Sequence, residues 1–87
     1  MYTITSYTKQ RAKEMSVEVR SSTRKNKKID VYKDGKYLDS IGDIRYGDYP
    51  TFIKEQGKAY ADERRRLYHL RHTKNTLGEK LAKFLLW

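Results

Sequence analysis

An Asp34-Gly35 step sits between two runs in which apolar and polar residues alternate, Lys28–Lys33 and Lys36–Ile41. Both positions of a two-residue hairpin turn want positive φ, which Asp tolerates and Gly favours, so the step predicts a tight β-hairpin. A regular ladder from that turn pairs Lys33 with Lys36, Tyr32 with Tyr37, Val31 with Leu38 and Asp30 with Asp39. Side chains alternate between faces, so Ile29, Val31 and Leu38 form the core side. Asp30, Tyr32, Tyr37 and Asp39 form the other.

The remaining elements follow from caps, breakers and periodicity. Tyr2–Thr5 is short and β-prone and reads as an edge strand. Ser6 or Thr8 caps a helix running to about Met15, with Ala12 and Met15 on its buried side. Val17–Arg20 alternates like a half-buried strand, and Ser21–Lys28 reads as a polar, basic loop. Gly42–Pro50 is a turn-rich connector, and Thr51 onward is helical until Gly57 breaks or kinks it. Lys58–His72 forms the main helix, with Ala59, Tyr60, Leu67 and Leu70 on one face. Lys58, Arg65, His69 and His72 lie opposite, and Arg64, Arg66 and Arg71 lie on the flanks. Thr76-Leu77-Gly78-Glu79 matches a capping box opening a last helix towards Trp87. Its Leu81, Phe84 and Leu85 are expected to pack on the sheet, with Trp87 held in place. The expected fold is α+β: a three- or four-stranded antiparallel sheet covered by two or three helices.

With 87 residues the chain makes one domain, residues 1–87, and not two independent cores. Eight Tyr, two Phe and one Trp supply the aromatic surface that disordered chains lack. Lys and Arg exceed Asp and Glu by nine charges. Self-repulsion of that size costs stability and is tolerated where a polyanion is the partner. The basic residues divide evenly between the two halves of the chain, so the charge belongs to the folded body rather than to a tail. With no Cys, disulfides and thiolate metal sites are excluded. No apolar run approaches the ~18 residues of a membrane span. Met1–Tyr7 lacks the charged-then-apolar order of a secretion signal, so the chain is expected inside a cell or packaged inside a particle.

Two basic segments carry the chemistry of a nucleic-acid contact. In the main helix Arg64, Arg65, Arg66, Arg71 and Lys58 can meet phosphates, and Tyr68 offers a ring for an unpaired base. In the loop, Arg24, Lys25, Lys27 and Lys28 can follow a backbone. The two matter together only if they share a side of the molecule. Tyr32 and Tyr37 are further stacking candidates, although a cross-strand structural pair explains them equally well. Asp30 opposite Asp39 needs a cation between them. An Arg or Lys is the ordinary answer, and a divalent metal helped by Asp43 and Asp48 would make a nuclease conceivable. His69 and His72 share a helix face but have no further ligand to complete a metal site. No Walker loop, Rossmann glycine motif or nucleophile elbow is present, so neither catalysis nor a cofactor is expected.

The segments Lys27–Tyr32 (KKIDVY), Ser40–Gly42 (SIG), Tyr46–Thr51 (YGDYPT), Arg64–His72 (RRRLYHLRH) and Leu85–Trp87 (LLW) resemble a family of small basic proteins of tailed phages and large DNA viruses. The resemblance spans residues 7–87, implies a viral origin and hands over no catalytic residues. Members of that family carry a longer, Gly-containing stretch before the LLW, where this chain has the compact Asn75–Lys80. The expected function is nucleic-acid binding, DNA ahead of RNA, through phosphates and with weak sequence specificity. The alternative is a structural virion component that cements subunits or contacts the packaged genome, and a metal-dependent nuclease stands third.

Overall fold

The computed structural model describes residues 1–87. In chain order the elements are α1 (Ser6–Met15), β1 (Glu18–Ser21), β2 (Lys27–Lys33), β3 (Lys36–Asp43), α2 (Tyr49–Gln56), α3 (Lys58–Arg71) and α4 (Leu77–Leu85). The three strands form one antiparallel sheet in the order β1-β2-β3, and the fold is α+β as expected. Tyr2–Thr5 adds no fourth strand. It runs as extended chain, anchored where Ser21 Oγ donates to the Tyr2 carbonyl at 2.7 Å. Thr5 caps α1, its side chain accepting from the Thr8 amide.

The hairpin turns at Asp34 (φ 52°) and Gly35 (φ 78°), and Lys33–Lys36 and Tyr32–Tyr37 pair as expected. Beyond them the register shifts by one residue at a bulge. Val31 then faces Asp39, Asp30 faces Ser40, and Ile29 faces Ile41. The expected Val31–Leu38 and Asp30–Asp39 pairs therefore do not form. A regular ladder would set two carboxylates against each other and leave Ile41 on the outer face. One extra residue removes both faults. Ile41 becomes buried, Leu38 half-buried beside the core, and Asp30 accepts from Ser40 Oγ at 2.6 Å. Asp39 turns to the helical side, where it lies against Gly78 in the first turn of α4. A carboxylate is favourable at that end of a helix dipole.

Ile29, Val31 and Ile41 of the sheet form the core with Ala12 of α1, Leu81, Ala82 and Leu85 of α4, and Leu86 and Trp87. Tyr49 and Ala61 bring α2 and α3 onto the same cluster. Two α1 side chains hold carbonyls at the end of α4 that a helix terminus leaves unpaired. Thr8 Oγ1 donates to the Leu85 carbonyl at 2.8 Å and Arg11 Nε to that of Phe84 at 2.7 Å. The Arg11 guanidinium also covers the half-buried Phe84 ring, 3.9 Å from its centroid.

Helix α2 starts at Tyr49, two residues ahead of the sequence expectation, because Asp48 caps it by accepting from the Thr51 amide and Pro50 preorganises its first turn. Gly57 (φ 90°) ends α2 and begins α3. The buried stripe of α3 differs from the expected one. Ala61 is fully buried, whereas Ala59, Tyr60 and Leu70 are exposed and Leu67 is half-buried. The stripe facing the body is Ala61, Arg65, Tyr68 and His72, at helical spacing.

Candidate nucleic-acid interface

The cations of α3 separate into three groups. Lys58 pairs with Asp62 at 2.9 Å and Arg66 with Glu63, both on the exposed surface. Arg65 turns inward, contrary to its expected place on the outer face. Its Nε donates to the Trp87 backbone oxygen at 2.7 Å, its Nη2 reaches the Tyr7 hydroxyl at 3.2 Å, and its guanidinium lies 3.5 Å from the Tyr49 ring centroid. It is therefore a structural residue rather than a phosphate ligand. Arg64 and Arg71 have no acidic partner. Arg64 rests its guanidinium over the Phe52 ring at 5.6 Å.

The basic loop is shorter than expected, since Lys27 and Lys28 open β2. Lys28 is buried and its Nζ donates to Asp48 Oδ2 at 2.8 Å. It is thereby withdrawn from the phosphate-binding set. Lys25 and Lys27 remain exposed and outside any ion pair, with Asp43 opposite Lys27 on β3. Arg24 lies over the Tyr37 ring at 4.7 Å and 3.9 Å from Asp30 Oδ1, while Arg20 lies over Tyr32 at 4.5 Å. Tyr32 and Tyr37 meet edge to face, so both rings already have protein partners on the sheet surface.

A cleft of about 490 Å³ joins the two basic segments. Lys27 lines one side and Arg64 and Arg71 another, with Tyr46, Phe52 and Trp87 among the aromatic lining. Lys27 also lines a more open groove that it shares with Arg24 and Lys25. The charges of the loop and of α3 are thus continuous through Lys27. Asp43 is the one carboxylate in the cleft wall, and Arg45 neutralises it through bonds of 2.9 and 2.6 Å. Hydrogen bonds from the Arg45 side chain and backbone hold the Asp43 pKa down at about 2. Arg64 and Arg71 have no acid beside them, and Lys27 feels only the charge of Asp43, its partner across the strand pair, which Arg45 already binds.

Tyr68 does not offer an open ring. It is stacked on Trp87 at 4.4 Å and 11°, and on His72 at 4.0 Å and 21°. Two near-parallel rings that close to one plane occupy its opposite faces, which leaves none for a base. Burial, then the Glu79 charge, raises its pKa. The capping box is half formed: the Glu79 amide donates to Thr76 Oγ1 at 3.3 Å, but the Glu79 carboxylate reaches towards His72 Nδ1, 3.7 Å away. His69 is less basic than usual, through burial and then the nearby charges of Lys83 and Arg65.

The carboxylates grouped by sequence as a cation site are dispersed. Asp30 is held by Ser40, Asp43 by Arg45, and Asp48 by Lys28, Tyr2 and the Thr51 amide, while Asp39 sits on the other face of the bulge. No three His, Asp or Glu groups converge as metal ligands. No helix is long and apolar enough to cross a membrane. Sequence reasoning missed Tyr46, Phe52 and Trp87 as parts of one surface, because the cleft is assembled from segments far apart in the chain. No protein-family model, curated protein or solved structure matches this chain.

Proposed function

We propose that the protein binds nucleic acid through its phosphates, with DNA ahead of RNA and with weak sequence specificity. The observation that carries this reading is the convergence of Lys27, Arg64 and Arg71, none of them in an ion pair, on one cleft that continues to Arg24 and Lys25, with Asp43, the carboxylate opposite Lys27, bound by Arg45. Charge surplus alone would fit any solvated surface. A rim of unneutralised cations held by a strand and a helix is preorganised for a chain of phosphates, which Arg meets with two parallel hydrogen bonds. Lys58 and Arg66 add long-range attraction, but their carboxylate partners make them secondary contacts. The resemblance to small basic proteins of phages and large DNA viruses favours a viral genome or replication intermediate as the polyanion.

Gel shifts with single-stranded DNA, duplex DNA, a branched junction and RNA, each at two salt concentrations, test the proposal. Affinity is expected to fall steeply with salt on every form that binds. Weak, salt-insensitive association with all four would contradict it and favour the alternative role of cementing virion subunits.

A further inference from the structure

We infer that the cleft between α3 and the Lys27–Asp43 end of the hairpin takes one unpaired nucleotide, its base against the aromatic wall and its phosphate on the cationic rim. This deepens, and rests on, the nucleic-acid reading above. The cleft, at about 490 Å³, lies within the roughly 300–1,000 Å³ of small-molecule sites. Its contents are unlike a packing defect. Phe52 and Trp87 meet at 5.9 Å between ring centroids in its wall, and Tyr46 is 71% exposed with no aromatic or side-chain hydrogen-bond partner. A core does not need that ring, whereas a base does, because every base presents a π-face.

A Cβ on Gly47 would stand 2.5 Å from Phe52 Cζ, so glycine there lets the chain lie directly on the ring. Lys27, Arg64 and Arg71 then supply cations to the same space. Aromatic rings beside a cationic rim match a nucleobase carrying a phosphate. A paired base cannot enter, since both its faces are stacked and its edge is engaged in the duplex, so the site selects unpaired strand. The other aromatic candidates do not compete: Tyr32 and Tyr37 do not line the cleft, and Tyr68 is enclosed by His72 and Trp87.

Trp87 is the single tryptophan and lines the cleft, so its fluorescence reports occupancy. The probes are oligothymidylate, an abasic strand of equal length, and thymidine 5′-monophosphate, all at one salt concentration. The strand with bases is expected to quench Trp87 saturably and to bind on the order of tenfold tighter than the abasic strand, since stacking one base contributes about that much or more. The monophosphate should quench at higher concentration. Tyr46→Ala should narrow the gap between the two strands without weakening the abasic one, and Arg71→Ala should weaken both. Equal affinity for both strands with unchanged fluorescence overturns the inference while leaving phosphate binding intact. Failure of both strands to bind removes the nucleic-acid reading itself, and quenching by the monophosphate alone would then reassign the cleft to free nucleotides.

Discussion

Lys28 Nζ and Asp48 Oδ2 stand 2.8 Å apart in a nearly fully buried ion pair that ties β2 to the start of α2. Asp48 also accepts from the Tyr2 hydroxyl at 2.7 Å and from the Thr51 amide at 3.1 Å, so one carboxylate fixes three segments. Breaking a buried pair by removing one partner costs about 3–5 kcal/mol, because the remaining charge is stranded. Asp48→Ala should lose stability on that scale in urea unfolding. Lys28→Met with Asp48→Asn removes both charges and keeps a capping oxygen, and should recover most of the loss.

The same pair sets the acid limit of the fold. Burial would raise the Asp48 pKa, but the charge and hydrogen bond of Lys28, with the bonds from Thr51 and Tyr2, lower it further than burial raises it. Asp30 follows the same pattern, with Ser40, Ser22 and Arg24 outweighing burial. Depressed carboxylates bind protons more weakly in the folded than in the unfolded chain. Their contribution is therefore present above the ordinary value of about 4 and is lost as pH falls through the folded values. Unfolding free energy measured from pH 7 downwards should drop below about pH 4. The Lys28→Met, Asp48→Asn double variant should show a shallower drop.

Gly42 separates two costs that usually arrive together. Gly42 and Gly35 both have φ near +78°, so an alanine at either meets the left-handed penalty of about 1 kcal/mol. Only at Gly42 would the new Cβ also collide, 2.7 Å from Leu86 Cδ1 and 2.9 Å from the buried Lys28 stem, whereas Gly35 faces open space. Gly42→Ala should cost about 1–3 kcal/mol more than Gly35→Ala in chemical denaturation. Equal costs would show that Leu86 and Lys28 yield freely.

Within the Arg64-Arg65-Arg66 run, neighbouring residues do different work. Arg65→Ala removes charged hydrogen bonds to the Trp87 oxygen and the Tyr7 hydroxyl and a cation–π interaction with Tyr49, and should destabilise the fold by about 2 kcal/mol. Arg66→Ala removes only an exposed pair with Glu63 and should leave the thermal midpoint in place. A triple alanine variant of the run therefore mixes unfolding with weakened binding. Thermal melts of the single variants separate the two.

What the sequence revealed and concealed follows from the range over which each feature is decided. The turn at Asp34-Gly35 and the Thr76 capping box are local chemistry and legible, whereas the α1 cap falls on Thr5 rather than on the expected Ser6 or Thr8, and the Asp48 cap of α2 lies ahead of the expected helix start. The bulge was encoded less openly: on a regular ladder Ile41 would face outward beside Asp39, a conflict that one extra residue resolves. Arg65 was hidden because hydrophobic periodicity counts Arg as surface, although its flat cation packs on Tyr49 as a ring would. Lys28 looked like the end of a basic run, and nothing nearby in sequence shows that Asp48 buries it. The cleft needed Lys27, Tyr46, Arg71 and Trp87 to meet, and no local pattern records that meeting.

The most direct test is the salt slope of binding to single-stranded DNA for the native protein, for a Lys27→Ala, Arg64→Ala, Arg71→Ala variant, and for a Lys58→Ala, Arg66→Ala control. Each phosphate of a single strand that no longer meets a cation should flatten the plot of log affinity against log salt by about 0.7. The cleft variant, folded by circular dichroism, is predicted to bind more weakly on every sequence with a slope flatter by up to about 2, while the control changes far less. An unchanged slope in the cleft variant, or an equal weakening in the control, would contradict the assignment of the cleft as the phosphate-binding surface.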